Sequence, residues 1–492
     1  MNINRHSRRS FLRGAGAISA AMITGRGVYS ILDEFWNPTP AYAATVVSRD
    51  QEQYLVDQLP VYLDNGVTAV VPPVYNDVFT ARLSRNVSWT PTALKSAQKR
   101  LEAALVKIES PYSSTADGLT FVVAWGLPYF RTYVPNQWQA KAPRDLSLGG
   151  GQFAVLDAIK FPSDPDSVVL EDNHVLFKIR SNSSSIVQSA ENQLFGDQNS
   201  GAYVGDLFDL TSKRIGFLGK GFGLGTPDVN PPVMKQLATK AGVAGADQIP
   251  DRSQLSLGFT STQTAALGPD NIPSFETLRG VTDQFPSGYF ARGCAMHLSH
   301  LTLDLASWYS RLYPDRVKAM MSATTPIPTD QTTVTLPNGP AQVSSLGQVK
   351  LEASTYRRVG HNSALQTATR LGATVLDNYG RLRQKGTAVP VREDFNTLDN
   401  PFNWYVDASG QIHQPPANQP GLHFAVFDPS SNKFHVARTA MDGVLPDGTD
   451  LRSTYGLTQA QIGFNSIMTA THRQNFCLPP RAHRSFPLVE LL

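Results

Sequence analysis

The chain has 492 residues, 41% of them hydrophobic and 17% charged, with a formal net charge of +3 at pH 7. That length calls for one large domain or two fused halves. The surplus positive charge belongs to the first 43 residues, and beyond them acidic and basic side chains balance with no Lys/Arg run, which argues against nucleic acid as a partner.

The N-terminal run Ser7-Arg8-Arg9-Ser10-Phe11-Leu12-Arg13 has the form of a twin-arginine export signal. A weakly apolar stretch of small residues follows from Gly14 to Ile23, and Ala41-Tyr42-Ala43 supplies an A-x-A cleavage site. Residues 1–43 are therefore expected to be a signal peptide read by the twin-arginine translocase. That route carries folded proteins, often ones that acquire a cofactor in the cytoplasm, and its destination is the periplasm or the medium. No stretch of 18 apolar residues occurs, so no stable membrane insertion is expected after cleavage.

Residues 44–90, rich in Pro and turn formers, read as an irregular extension. Thr90-Pro91-Thr92 then opens a helix with a capping residue and a proline in its first turn. Leu94, Ala97, Leu101, Ala104, Leu105 and Ile108 recur at helical spacing through Glu109. Strands are expected over 118–125 and 168–180, and a helix over 184–194. In the second half an extended segment over 289–303 leads into a helix over 304–311. A strand over 421–427 precedes a helix over 434–441. Gly118-Leu119-x-Phe121 and Gly421-Leu422-x-Phe424 match, which points to two related α+β halves, 91–285 and 286–492, each a sheet with helices on one face.

Only Cys294 and Cys477 are present, and their spacing leaves open whether they pair. The motifs of covalent c-type haem attachment, of zinc proteases, of serine hydrolases and of phosphate-binding loops are all missing. His297 and His300 stand at i, i+3 in an extended run, which puts them on opposite faces and disfavours a shared metal. His423 alternates with apolar neighbours like a core residue. His361 follows Arg357-Arg358-Val359-Gly360 and precedes small residues ending at Arg370, a setting in which a neutral imidazole can serve as an axial ligand.

Several blocks, in order, resemble the dye-decolourising peroxidases, and more closely their divergent, twin-arginine-exported relatives. They are the helix and G-L-T-F strand of 92–126, Arg214-Ile215-Gly216-Phe217 and Leu257-Gly258-Phe259. Gly288-Tyr289 through Asp304 and Trp308-Tyr309 follow, then Gly360-His361, Val391-Arg392-Glu393-Asp394-Phe395, and Gly421 to Asp428 with Phe434 and Met441. Together they cover roughly residues 90–445.

The resemblance implies an α+β fold of two ferredoxin-like halves, antiparallel sheets with helices on one face, in a dimeric α+β-barrel-like architecture. It implies haem b (iron protoporphyrin IX) held by His361, with Arg392 as the distal arginine and Asp428 as the carboxylate behind the proximal imidazole. Hydrogen peroxide and an organic reductant are the implied substrates, and a homo-oligomer is compatible with it. Trp308, Tyr309 and Trp404 are candidates for exposed electron relays. One position departs from the pattern. Ser261 stands where the family's G-x-x-D-G motif carries its distal aspartate, and a serine hydroxyl is a poor proton carrier unaided. Asp270 or Asp283 from the adjoining loop are possible substitutes. A scaffold of the same fold that binds haem or another ligand without peroxidase turnover is the alternative expectation.

Overall fold

The computed structural model describes residues 49–149, 151–219, 233–259, 271–331, 333–336, 344–402, 405–406, 412–413 and 418–492. The signal segment and Ser261 lie outside them. No helix among the described residues is long and apolar enough to cross a membrane.

Helix α1 (Pro91–Glu109) starts where the capping chemistry places it, with the Thr90 hydroxyl accepting the Ala93 amide. All six of its periodic apolar residues are buried. They cover a sheet made of β1 (Tyr75–Leu83), β2 (Thr120–Gly126), β3 (Val169–Leu170), β4 (Val175–Ser181), β5 (Phe208–Phe217), β6 (Cys294–Leu303), β7 (Val391–Arg392), β8 (Phe395–Thr397), β9 (Gly421–Asp428) and β10 (Met468–Leu478). In the first half the order is β5-β1-β4-β2, with α1 after β1 and α2 (Ser184–Glu191) after β4. In the second it is β10-β6-β9-β8, with helices after β6 and α5 (Ser431–Met441) after β9. Both are the β-α-β-β-α-β arrangement expected of ferredoxin-like halves.

The halves join into a closed sheet. Asn396 of β8 opposes Phe217 of β5, and Phe476-Cys477 of β10 oppose Trp125-Gly126 of β2. Among the described residues every strand pairing in this sheet is antiparallel except that of the short β3, which runs parallel to β10. The interior is filled from both halves by Val78, Val122, Leu176, Met296, Leu298, Phe427 and Phe476. Inside the barrel Glu393 of the second half bonds Lys178 at 2.7 Å and Arg180 at 2.6 Å from the first.

Residues 44–90 are not irregular throughout. Val61–Asp64 and Val67–Val70 pair as a hairpin whose turn, Asn65-Gly66, has positive φ at both residues, the backbone that a two-residue turn between twisted strands requires. Tyr75–Leu83 is a central strand, buried on both faces. Its lack of apolar–polar alternation hid it, and the first half begins there rather than at residue 91. The G-L-x-F match also fails as a repeat. Gly118 precedes the second strand of its half, whereas Gly421 opens the third strand of the other, so the halves are related but these positions are not equivalent.

Cys294 and Cys477 are free and buried. In the β6–β10 ladder Cys294 opposes Leu478 and Cys477 opposes Ala295. This one-residue offset points the thiols to opposite faces of the sheet, Cys294 into the barrel and Cys477 under the helices. A disulfide cannot bridge them.

Candidate functional site

Helix α4 (His361–Thr369) begins against the backbone after α3 (Tyr313–Met320). A Cβ on Gly360 would lie 2.2 Å from the Met321 carbonyl oxygen, so only glycine permits that approach. The buried Glu352 carboxylate ties the junction together, accepting the Ala323 amide at 3.1 Å, the Gly360 amide at 3.4 Å and the Ser363 hydroxyl at 3.0 Å. His361 is thereby fixed as the first residue of α4. Its ring packs on Phe464 at 4.4 Å, and its Nδ1 has no hydrogen-bond partner among the described residues. Burial, with Arg392 and Arg438 adding, pulls its pKa down to about 3. The imidazole is therefore neutral at physiological pH and keeps a free electron pair.

His361 lines a recess of about 790 Å³, counted together with the space open to solvent. One wall is helical, with His361 and, one face of α5 apart by four and three residues, Phe434, Arg438 and Met441. The facing wall is the outer surface of the second half's sheet. Ser299 and Leu301 of β6, Phe424 and Leu422 of β9 and Arg473 of β10 supply it. In the ladder Ser299 opposes both Phe424 and Arg473, so these three form one row across the sheet.

Leu257 and Phe259 enter from a loop pinned to the sheet by Asn396, whose Oδ1 accepts the Ser256 amide at 2.8 Å. Trp308 and Tyr309 hold the same loop, donating to the Leu257 carbonyl at 2.8 Å and the Ser256 carbonyl at 2.7 Å. Both aromatic rings are buried, contrary to the exposed relay expected of them. Their observed work is to shape the loop.

Arg392 reaches the cavity from β7, where it opposes Val426. Asp394, two residues on, lines it too, while Glu393 between them turns into the barrel. Burial raises the Asp394 pKa to about 6, against the opposing pull of Arg392, Lys178 and the Ala425 amide, and its Oδ1 has no hydrogen-bond partner among the described residues. The site thus gathers a neutral imidazole, a guanidinium and a carboxyl group that titrates near neutrality.

Other expected residues fall elsewhere. Asp428 stands four residues beyond Phe424 on β9, about 13 Å further along the strand. It opposes Ala295 and does not line the cavity, and no hydrogen bond joins it to His361 among the described residues. Its pKa is raised to about 7 by burial, and its one charged neighbour of note is Lys433. The strand is simply too long at that end for its last carboxylate to back the helix bearing His361. Asp283 is exposed and accepts the Arg144 amide at the surface. Ser261, Asp270 and Trp404 lie outside the described residues. His297 bonds Asn475 at 2.6 Å and Ser299 at 2.5 Å, whereas His300 bonds Thr471 at 2.6 Å on the other face. His423 is fully buried beside His300 and Phe395, as expected of a core residue.

Asp394, Arg438, Arg473 and Glu352 escaped the sequence reading. Asp394 had a usable signal, since it shares the strand face of Arg392 by period-2 spacing. Arg438 had one as well, one turn beyond Phe434 on the same helix face. Arg473 and Glu352 owe their place to tertiary pairing and had none.

The chain is similar to DypB from Rhodococcus jostii RHA1 in one crystal form, at 11% identity over 90% of this chain and 99% of that one, with a TM-score of 0.47. A variant of DypB in complex with heme gives 11% identity, 84% and 96% coverage and a TM-score of 0.45. The encapsulated DyP-type peroxidase from Mycobacterium smegmatis gives 12%, 84% and 95%, and 0.44. No curated protein matches the chain. Residues 81–480 match one family across most of the chain, and the protein belongs to it: DUF7405, described as a family of unknown function.

Proposed function

We propose that this chain is a haem-dependent, peroxidase-like oxidoreductase exported by the twin-arginine route. The observation that carries the reading is His361, a neutral imidazole with a free electron pair on the helical wall of an apolar cavity, with Arg392 and Asp394 entering the same space. Those residues fit haem b. His361 would hold the iron, and apolar side chains on both walls would hold the ring. When bound, the haem supplies the redox-active iron through which hydrogen peroxide is reduced and an organic reductant oxidised.

The remaining steps belong to the chain. Arg392, always protonated, stabilises negative charge developing on peroxide oxygen. The Asp394 carboxylate accepts a peroxide proton at Oδ1 and returns it to the departing oxygen, work that needs a group titrating near the operating pH.

Chain prepared without haem, then titrated with it, is expected to develop a Soret band, and His361→Ala to lose it. An identical spectrum in the variant removes the ligand assignment. Bound haem without peroxide-driven oxidation of a dye would leave a haem-binding protein. Export is tested by joining residues 1–43 to a reporter that crosses the membrane only when folded. Replacing Arg8 and Arg9 by Lys should retain that reporter in the cytoplasm.

A further inference from the structure

Arg473 is 1% exposed and lines the cavity, yet only one of its three guanidinium nitrogens is satisfied: Nη2 donates to Asp164 at 2.5 Å. Nε and Nη1 have no partner among the described residues. Its neighbour Arg438, also on the cavity, is engaged at both terminal nitrogens, with Nη1 on Asp442 and Nη2 on the Ser163 hydroxyl at 2.6 Å. Both guanidinium groups pack over the Phe161 ring, at 4.7 Å for Arg473 and 5.4 Å for Arg438. The two cations are held side by side, then, by an aromatic plate and a shared acidic loop. Asp164 and Asp442 balance the charge of the pair, but they do not satisfy the donors of Arg473. Buried donors left without acceptors are costly, and a carboxylate oxygen is a charge-matched acceptor for a guanidinium N–H.

We propose that Arg473, positioned by Asp164 and flanked by Arg438, is a carboxylate-binding subsite that takes the acidic edge of the flat, apolar ligand filling this cavity. Under the haem reading, on which this inference rests, that edge is a propionate. Burial, with Arg438 adding, draws the Arg473 pKa down to about 10 against the pull of Asp164 and Asp442. Ser299, opposite Arg473 in the ladder, lies beside it on the cavity wall, while Phe424 and Phe434 offer the apolar surface next to it.

Protein prepared without haem is titrated with haem, with haem dimethyl ester and with metal-free protoporphyrin IX, following absorbance and fluorescence. The wild-type chain should bind haem about ten- to a hundredfold more tightly than haem dimethyl ester. Arg473→Gln should lose most of that preference while keeping its affinity for the diester. The wild-type comparison needs no variant, so it holds even if Arg473→Gln folds poorly. Equal affinity for diacid and diester in the wild type overturns the subsite, as does an undiminished preference in Arg473→Gln. Failure of the haem reading looks different. His361→Ala would then bind haem as the wild type does, while protoporphyrin IX, which has no iron to ligate, would still report on Arg473. A chain that binds none of the three porphyrins overturns both.

Discussion

Arg392 and Asp394 flank Glu393 where the chain passes from β7 to β8, and their alternation sends the outer two into the cavity and the middle one into the barrel. Three consecutive charges therefore serve two unrelated purposes. Arg392 and Asp394 meet whatever occupies the cavity, while Glu393 stitches the two halves together.

The cost of keeping a carboxyl group in the cavity is measurable. The Asp394 pKa in the folded chain is about 6, above the ordinary 3.8, so the fold favours its protonated form. Below about pH 4 it is protonated in both states and costs nothing. Between about pH 4 and pH 6 the unfolded chain ionises this carboxyl while the fold keeps it protonated, so stability falls by an amount of order 2–3 kcal/mol and is level above pH 6. Asp394→Asn should therefore raise the denaturant midpoint at pH 7–8 and leave it unchanged at pH 4. A gain of the same size at both pH values would show that the carboxyl group does not titrate in this window.

Glu393 should behave in the opposite way. It is the acidic partner of both Lys178 and Arg180, and all three are buried. Glu393→Gln leaves two cations without their counter-charge, a change expected to cost about 3–5 kcal/mol. Equilibrium unfolding of the variant measures it. A loss below about 1 kcal/mol would mean that water reaches the barrel interior.

The thiols give a sharper test of the fold itself. Because Cys294 and Cys477 point to opposite faces, oxidising conditions should leave the native mass unchanged. Burial also raises both thiol pKa values, so a thiol reagent should react at neutral pH only after denaturant is added. Recovery of a linked Cys294–Cys477 peptide from native protein would contradict the β6–β10 register.

Much of this architecture was legible in the sequence where local signals were strong. The capping pattern at Thr90 and the periodicity of α1 located that helix, and the apolar run of β9 located that strand. The imidazole at 361 was legible through the glycine before it and the helix after it. Tyr75–Leu83 was not, because a strand buried on both faces and carrying Asn76, Asp77 and Thr80 shows no alternation. Asp428 was misplaced for a related reason. A carboxylate at a strand's end says nothing about which helix lies above it, and the distance along β9 decides. Arg473 and Glu352 are functional candidates only through contacts more than a hundred residues or a whole helix turn away, which no local pattern encodes.

Glu352 shows how such a contact can govern the site without entering it. It does not line the cavity, yet its Oε2 holds the Gly360 amide and the Ser363 hydroxyl on either side of His361. Burial raises its pKa, so the group sits where ionisation is disfavoured and hydrogen bonding does the holding. Glu352→Ala should free the first turn of α4, lower stability by about 1–3 kcal/mol and weaken haem binding, with a broadened or shifted Soret band because the imidazole is no longer aimed. Glu352→Gln retains an acceptor oxygen of the same reach and should restore the band. A purely structural role predicts that both variants lose stability with unaltered spectra. Loss of the band in Glu352→Gln would instead require the negative charge itself, and would place Glu352 in electrostatic contact with His361.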